Sequence, residues 1–210
     1  MMFKKYYFQG VSWLLLILSL IAFSDNLITD VGQPSNKDPK FIIHGLLMFA
    51  WFGTFVAQTY CILKRKFDAH VRLGKLGFGL AIAVFLSTVY VFIAVYEGWD
   101  NMEPFVKANR LFMLSFALFL VLAYRDRSNG VRHKRFIFWA IVLPIEPIMG
   151  RVSDFFHIEQ WGLFYALVWH VLFVSFLIYD WQTLKRIHPI SWAGLGWFYT
   201  VWALSMGSGL

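Results

Sequence analysis

The sequence predicts an all-α integral membrane protein, a bundle of seven transmembrane helices with the N-terminus inside and the C-terminus outside. Hydrophobic residues make up 59% of the 210-residue chain and charged residues only 15%, a balance outside the range of soluble globular domains. Apolar runs of about 20 residues, the length that a helix needs to cross the hydrocarbon, recur along the chain. Lys and Arg cluster in alternate connections between these runs.

The apolar runs define the helices in order. They lie at 11–29, 41–63, 76–96, 105–124, 136–156, 161–180 and 190–208. The connections between them are short, so we expect residues 1–210 to form a single transmembrane helical domain with no separate soluble domain. The first run follows a basic start, as in a signal peptide, but no small-x-small cleavage site follows it, so we expect it to remain as a helix.

The distribution of basic residues predicts the orientation, because positively charged loops next to spans stay on the cytoplasmic side. With the N-terminus inside, the inner side receives 14 of the 19 Lys and Arg residues. These are Lys4, Lys5, Lys64, Arg65, Lys66, Arg72, Lys75, Arg125, Arg127, Arg132, Lys134, Arg135, Lys185 and Arg186. Each basic cluster borders a span, so we expect anionic lipid headgroups as partners at the inner loops and no nucleic acid.

The three inner loops share a pattern. Each has an acid (Asp68, Asp126 and Asp180), basic residues and a histidine that opens the next helix, and the three histidines are His70, His133 and His188. This indicates one leading helix followed by three helical hairpins of the same sense. The common composition of positive inner loops explains the pattern at least as well.

Several of these residues together resemble a known group of proteins. They are His44 early in a span, Gln58 near its inner end, HVRLG at 70–74, HKR at 133–135, Gly150-Arg151, Asp180 and His188-Pro189. This set is similar to a widespread, uncharacterised family of small multi-span bacterial inner-membrane proteins with His-x-Arg-Leu-Gly, His-Lys-Arg and His-Pro motifs in their inner loops. The resemblance covers helices two to seven. It implies a multi-pass location in the bacterial inner membrane and no particular chemistry.

Predicted helices four to six carry charged groups at membrane depth. Glu146 lies between Pro144 and Pro147, and at 1.5 Å per residue it is about 16 Å from Arg135, near the midplane of the bilayer. The prolines should break the helix there. Charges in lipid are costly and pair inside a bundle, so we expect Arg110 or Arg151 to neutralise Glu146. The alternative is a pair that only locks helix packing.

Histidines complete the expected polar site, and three kinds of occupant fit it. His170 lies within span six and His44 early in span two. Haem b, or another redox ligand, held by these two histidines is the first hypothesis, although their depths differ by several ångströms. The second is small-molecule binding or transport, or an assembly role without catalysis, with a homodimer enlarging the small chain.

A metal-dependent membrane enzyme is the third hypothesis. It would use His70, His133 and His188 at the inner face, since three histidines and an open position suit catalytic zinc. The cations beside each of these histidines oppose it, because they repel Zn²⁺. The sequence alone therefore does not decide whether the chain is an enzyme.

Overall fold

The computed structural model describes residues 2–207, which contain helices and no β-strand. Three short segments, Asp25–Thr29, Pro34–Lys37 and Leu143–Ile145, form single π or 3₁₀ turns. The long helices are α1 (Met2–Ala22), α2 (Pro39–Leu63), α3 (Phe67–Ala94), α4 (Pro104–Arg125), α5 (Gly130–Val142), α6 (Glu146–Phe155), α7 (Trp161–Leu184) and α8 (Pro189–Gly207). The all-α prediction is thus confirmed.

Six helical segments of the described chain are long and apolar enough to cross a membrane. They are α1, α2, α3, α4, the continuous stretch Gly130–Phe155 that contains α5 and α6, and α7. This supports the prediction of a multi-pass membrane protein. The remaining helix, α8, has no charged residue but is not among these six segments.

Helix boundaries extend beyond the predicted runs at the ends rich in basic residues. The helix α3 begins at Phe67 rather than 76, and α5 begins at Gly130 rather than 136. The HVRLG stretch and the HKR stretch therefore lie on helices and not in loops. An apolar window detects the part of a helix that suits hydrocarbon, whereas the backbone hydrogen bonds continue into the polar ends.

The predicted break in the fifth segment is present. Pro144 lies outside helical backbone angles, with φ −89° and ψ 32°, and it separates α5 from α6. The indole nitrogen Nε1 of Trp169 donates to the carbonyl oxygen of Val142, 3.0 Å away, just before the break. A backbone carbonyl beside a break at membrane depth needs such a partner.

The chain divides into two compact units. Within the described residues, the first unit contains 2–94, which comprises α1 to α3, together with 148–158. In this unit, Gln58 on α2 donates from Nε2 to the carbonyl oxygen of His70 on α3, 3.2 Å away, which ties the two helices at their connection.

The second unit contains residues 95–147 and the chain from 159 onward, with α4, α5, α7 and α8. Its core is aromatic. The ring of Trp169 on α7 packs edge-on against Phe198 on α8, with centroids 5.1 Å apart, and Trp139 on α5 lies 5.2 Å from Phe173. This packing holds the helices that carry the polar groups described below.

Candidate functional site

Glu146 is the first residue of α6 and its side chain is almost fully buried, with 5% exposed. Its carboxylate oxygen Oε2 accepts a hydrogen bond from the side-chain amide Nδ2 of Asn109 on α4. The other end of that amide, Oδ1, is buried and has no hydrogen-bond partner among residues 2–207. We call Glu146 and Asn109 the Glu146 site. It presents buried acceptor oxygens and lacks a matching donor.

The Glu146 site lies farther from the α4–α5 connection than the sequence predicted. Asn109 is sixteen residues before Arg125 at one side of that connection, and Glu146 is sixteen residues after Gly130 at the other. Both separations correspond to about 24 Å at 1.5 Å per residue. The predicted midplane position was counted from Arg135 as a boundary residue, whereas α5 begins five residues earlier, and the depth of Glu146 in a bilayer stays a prediction.

The two arginines expected beside Glu146 have other contacts. Arg151 donates from Nη1 to Asn26 Oδ1 at 2.9 Å, and the same nitrogen is 3.6 Å from Asp25 Oδ2. Arg110 donates from Nε to the sulfur of Met102 at 3.0 Å and lies over the ring of Tyr96. Among the ion pairs of the described residues, none includes Glu146.

His170 does not share the burial of Glu146. Its side chain is exposed on α7. Nδ1 is 2.6 Å from the carbonyl oxygen of Ala166, and Nε2 is 2.7 Å from the hydroxyl of Tyr199. A carbonyl only accepts, so Nδ1 carries the hydrogen and, in the neutral ring, Nε2 accepts from Tyr199. Both ring nitrogens are therefore engaged, and Tyr199 occupies the one that would bind iron.

His44 has a different arrangement in the first unit. Its Nδ1 is 3.1 Å from the hydroxyl oxygen of Ser87, and that hydroxyl donates to the carbonyl oxygen of Val84 at 2.9 Å. A hydroxyl has one hydrogen, so Ser87 accepts from Nδ1–H of His44. This leaves the lone pair of Nε2 available, which is the tautomer that a metal-ligating histidine adopts.

A buried ion pair that the sequence did not reveal lies between α5 and α7. The side chains of Arg135 and Asp180 are both fully buried, and Arg135 Nη2 donates to Asp180 Oδ1. Asp180 Oδ2 also accepts from the hydroxyl of Ser191 at 2.7 Å and from the backbone N–H of His188 at 3.0 Å. Arg135 Nη1 donates to the carbonyl oxygen of Val131 at 2.5 Å. The carboxylate is thus fully bonded, which indicates a structural role.

His188 caps the start of α8. Its Nδ1 accepts from the backbone N–H of Ile190 at 3.1 Å. Burial lowers the pKa of the His188 ring, and the positive charge of Arg135 lowers it further, against the opposite effect of Asp180. The ring is therefore kept neutral with its hydrogen on Nε2, so it offers no lone pair outward.

Among the described residues, His70, His133 and His188 do not assemble into a metal centre. Within residues 2–207, no group of three or more His, Cys, Asp or Glu side chains is placed to hold a metal ion. The Nδ1–H of His133 donates to the carbonyl oxygen of Ala123 at 2.9 Å, which uses one of its nitrogens. The hypothesis of a zinc enzyme built on His70, His133 and His188 gains no support from this geometry.

Comparison with protein-family models, with curated proteins and with solved structures finds no match. The features that bear on function are the buried acceptors of the Glu146 site and the available nitrogen of His44.

Proposed function

We propose that the chain is a seven-span protein of the bacterial inner membrane that binds a small monovalent cation or ammonium-type solute at Glu146 and Asn109, without catalysis. The seventh span is α8, whose 19 residues carry no charge and cover about 28 Å at 1.5 Å per residue. The basic residues of the α2–α3, α4–α5 and α7–α8 connections support a cytoplasmic location of those ends and of the N-terminus.

The observation that carries the proposal is the excess of buried acceptors at the Glu146 site. Glu146 receives one amide hydrogen, and the Oδ1 atom of Asn109 receives none from the described residues. Leaving a carboxylate without a cation in a buried position is costly. A bound cation or ammonium group supplies the missing partner, because hard cations prefer carboxylate and amide oxygens.

The helix break supports the same proposal. Transporters place solute sites where membrane helices are interrupted, since the interrupted backbone exposes polar groups to the site. Here the break at Pro144 puts Glu146 at the start of α6, where the positive end of the helix dipole stabilises its negative charge without an arginine.

A cation that binds only the folded protein raises its stability, and this gives the test. We expect NaCl or methylammonium chloride to raise the unfolding midpoint of the detergent-purified protein relative to N-methylglucamine chloride at equal ionic strength. A hundredfold excess over Kd stabilises by about 2.7 kcal/mol, or about 5 to 10 °C for a chain of this size. Glu146→Gln, which removes the charge at constant volume, should abolish the shift.

Glu159→Gln is the matched control, because Glu159 is an exposed acid in the α6–α7 connection, and it should keep the wild-type shift. Asn109→Leu should weaken the response by removing the amide oxygen. An equal cation response in wild type and Glu146→Gln, or none in wild type with either salt, would contradict the proposal.

Haem or another redox ligand remains a second candidate because of His44. Its Nε2 lone pair is available, whereas Nε2 of His170 is engaged by Tyr199. If haem is bound, we expect a Soret band in the purified protein that shifts on reduction, is lost in His44→Gln and persists in His170→Gln. A colourless sample after expression with added haem would remove this candidate and leave the cation proposal untouched.

A further inference from the structure

A second cluster of unmatched polar groups lies at the start of α4, with the opposite polarity. Lys107, in the first turn of α4, has only 8% of its side chain exposed. Its ammonium nitrogen lies 5.4 Å from the ring centre of Trp99, in the preceding connection. The Nε1 atom of Trp99 is buried and has no hydrogen-bond partner within residues 2–207. The buried indole N–H of Trp99 and the ammonium of the largely buried Lys107 therefore lie close together, and neither has an acceptor among the described residues.

These donors are costly as they stand. An ammonium on a largely buried side chain is partly desolvated, and a contact with an aromatic face offsets only part of that cost. A buried indole N–H without an acceptor adds a further penalty. An acceptor from an outside molecule would offset both costs.

The acids of the same connection do not complete the pair. Glu97, Asp100 and Glu103 are exposed, and no ion pair of the described residues includes Lys107. Glu103 is the N-cap residue of α4, and its side chain makes no capping hydrogen bond. The acceptor is thus not supplied by these neighbouring carboxylates.

We propose that Trp99 and Lys107 bind one anionic phosphate group, either of a phospholipid headgroup or of free phosphate. A lysine is a common phosphate partner as a point charge. The N-terminus of the 22-residue helix α4 adds the positive end of its dipole to the two side-chain donors. A tryptophan in the connection between two membrane helices also suits the level of lipid headgroups.

The phosphate site is separate from the Glu146 site. Lys107 and Asn109 are two residues apart on α4, so their side chains project from nearly opposite faces of the helix. Loss of one site therefore leaves the other intact. The cation test uses Glu146→Gln and the phosphate test uses Lys107, so the two proposals fail independently.

The chemical shift of the Trp99 indole proton reports directly on whether its N–H donates to an acceptor. We would record indole ¹H–¹⁵N NMR spectra of the ¹⁵N-tryptophan protein in dodecyl maltoside, a detergent without phosphate, with Trp99→Phe to assign one of the ten indole signals. One arm adds phosphatidylglycerol to the detergent micelles and the other adds inorganic phosphate. We expect a downfield shift of the Trp99 indole proton in one or both arms.

The variants decide whether the shift comes from the proposed site. Lys107→Gln should weaken the titration at least tenfold, Lys107→Arg should retain it, and Lys75→Gln, which neutralises an exposed lysine on α3, should not change it. If Lys107→Gln does not fold, the titrations of the wild-type protein and of Lys107→Arg still test the proposal.

The arms distinguish the two sources of the phosphate. A shift with phosphatidylglycerol alone assigns a lipid headgroup, and a shift with inorganic phosphate in lipid-free detergent assigns free phosphate. An unmoved Trp99 signal in both arms, or an undiminished titration in folded Lys107→Gln, overturns the proposal.

Discussion

Asp180→Ala should lower the free energy of unfolding by about 3 to 5 kcal/mol, the loss typical of breaking a buried ion pair from one side. Arg135 is fully buried, and its remaining partner would be the carbonyl oxygen of Val131. The Ser191 hydroxyl and the His188 backbone N–H would lose their acceptor in the same step. The uncompensated guanidinium, rather than the lost contact itself, dominates the cost.

Thermal unfolding in detergent, followed by circular dichroism, measures this effect. Asp126→Ala is the control, because Asp126 pairs with Arg132, whose side chain is 44% exposed, and such pairs contribute about 0 to 1 kcal/mol. The double variant Arg135→Met/Asp180→Ala should be more stable than Asp180→Ala alone, since it removes the stranded charge. Equal stability of the two would show that the charge is not what matters.

The Arg135–Asp180 pair illustrates which part of the fold could be predicted from the sequence and which part could not. The long apolar runs predicted where the helices lie. The basic residues in alternate connections predicted how the helices group into hairpins. Arg135 and Asp180 were assigned to inner loops, because a hydropathy window ends where charges begin. In the structure α5 starts at Gly130 and α7 continues to Leu184, so both residues lie on helices and face each other in the core. A contact between two residues that are far apart in the chain cannot be recognised from a local sequence pattern.

The candidate site shows a similar limit. The two prolines were enough to predict the break beside Glu146, because proline removes a backbone donor whatever surrounds it. The partner of Glu146 was sought among charged residues, since charge attracts charge in lipid. In the structure its partner is Asn109, a neutral residue between Lys107 and Arg110 near the start of α4. The side-chain amide of Asn109 was the one feature of the sequence that could have indicated this partner. The face of α4 that carries Asn109 meets Glu146 only because of the way α4 packs against the break.

Gly194→Ala should be the second strongly destabilising change. Gly194 on α8 faces the indole ring of Trp139 on α5, and an added Cβ would overlap the ring atoms Cε2, Cδ2 and Nε1. Trp139 cannot move aside easily, because it is 1% exposed and packs against Phe173 and Phe176. Overpacking of this kind typically costs about 1 to 3 kcal/mol, and more where the neighbour is rigid.

Gly196→Ala supplies the matched control two residues along the same helix. Gly196 is exposed, and an added Cβ meets no atom within 4 Å. Alanine favours a helix over glycine by about 1 kcal/mol, so this variant should unfold at the same temperature as wild type or slightly above it. The two variants add the same methyl group to the same helix, so a difference between their midpoints isolates the contact with Trp139. If Gly194→Ala unfolds at the same temperature as Gly196→Ala, α8 does not pack against α5 at this position.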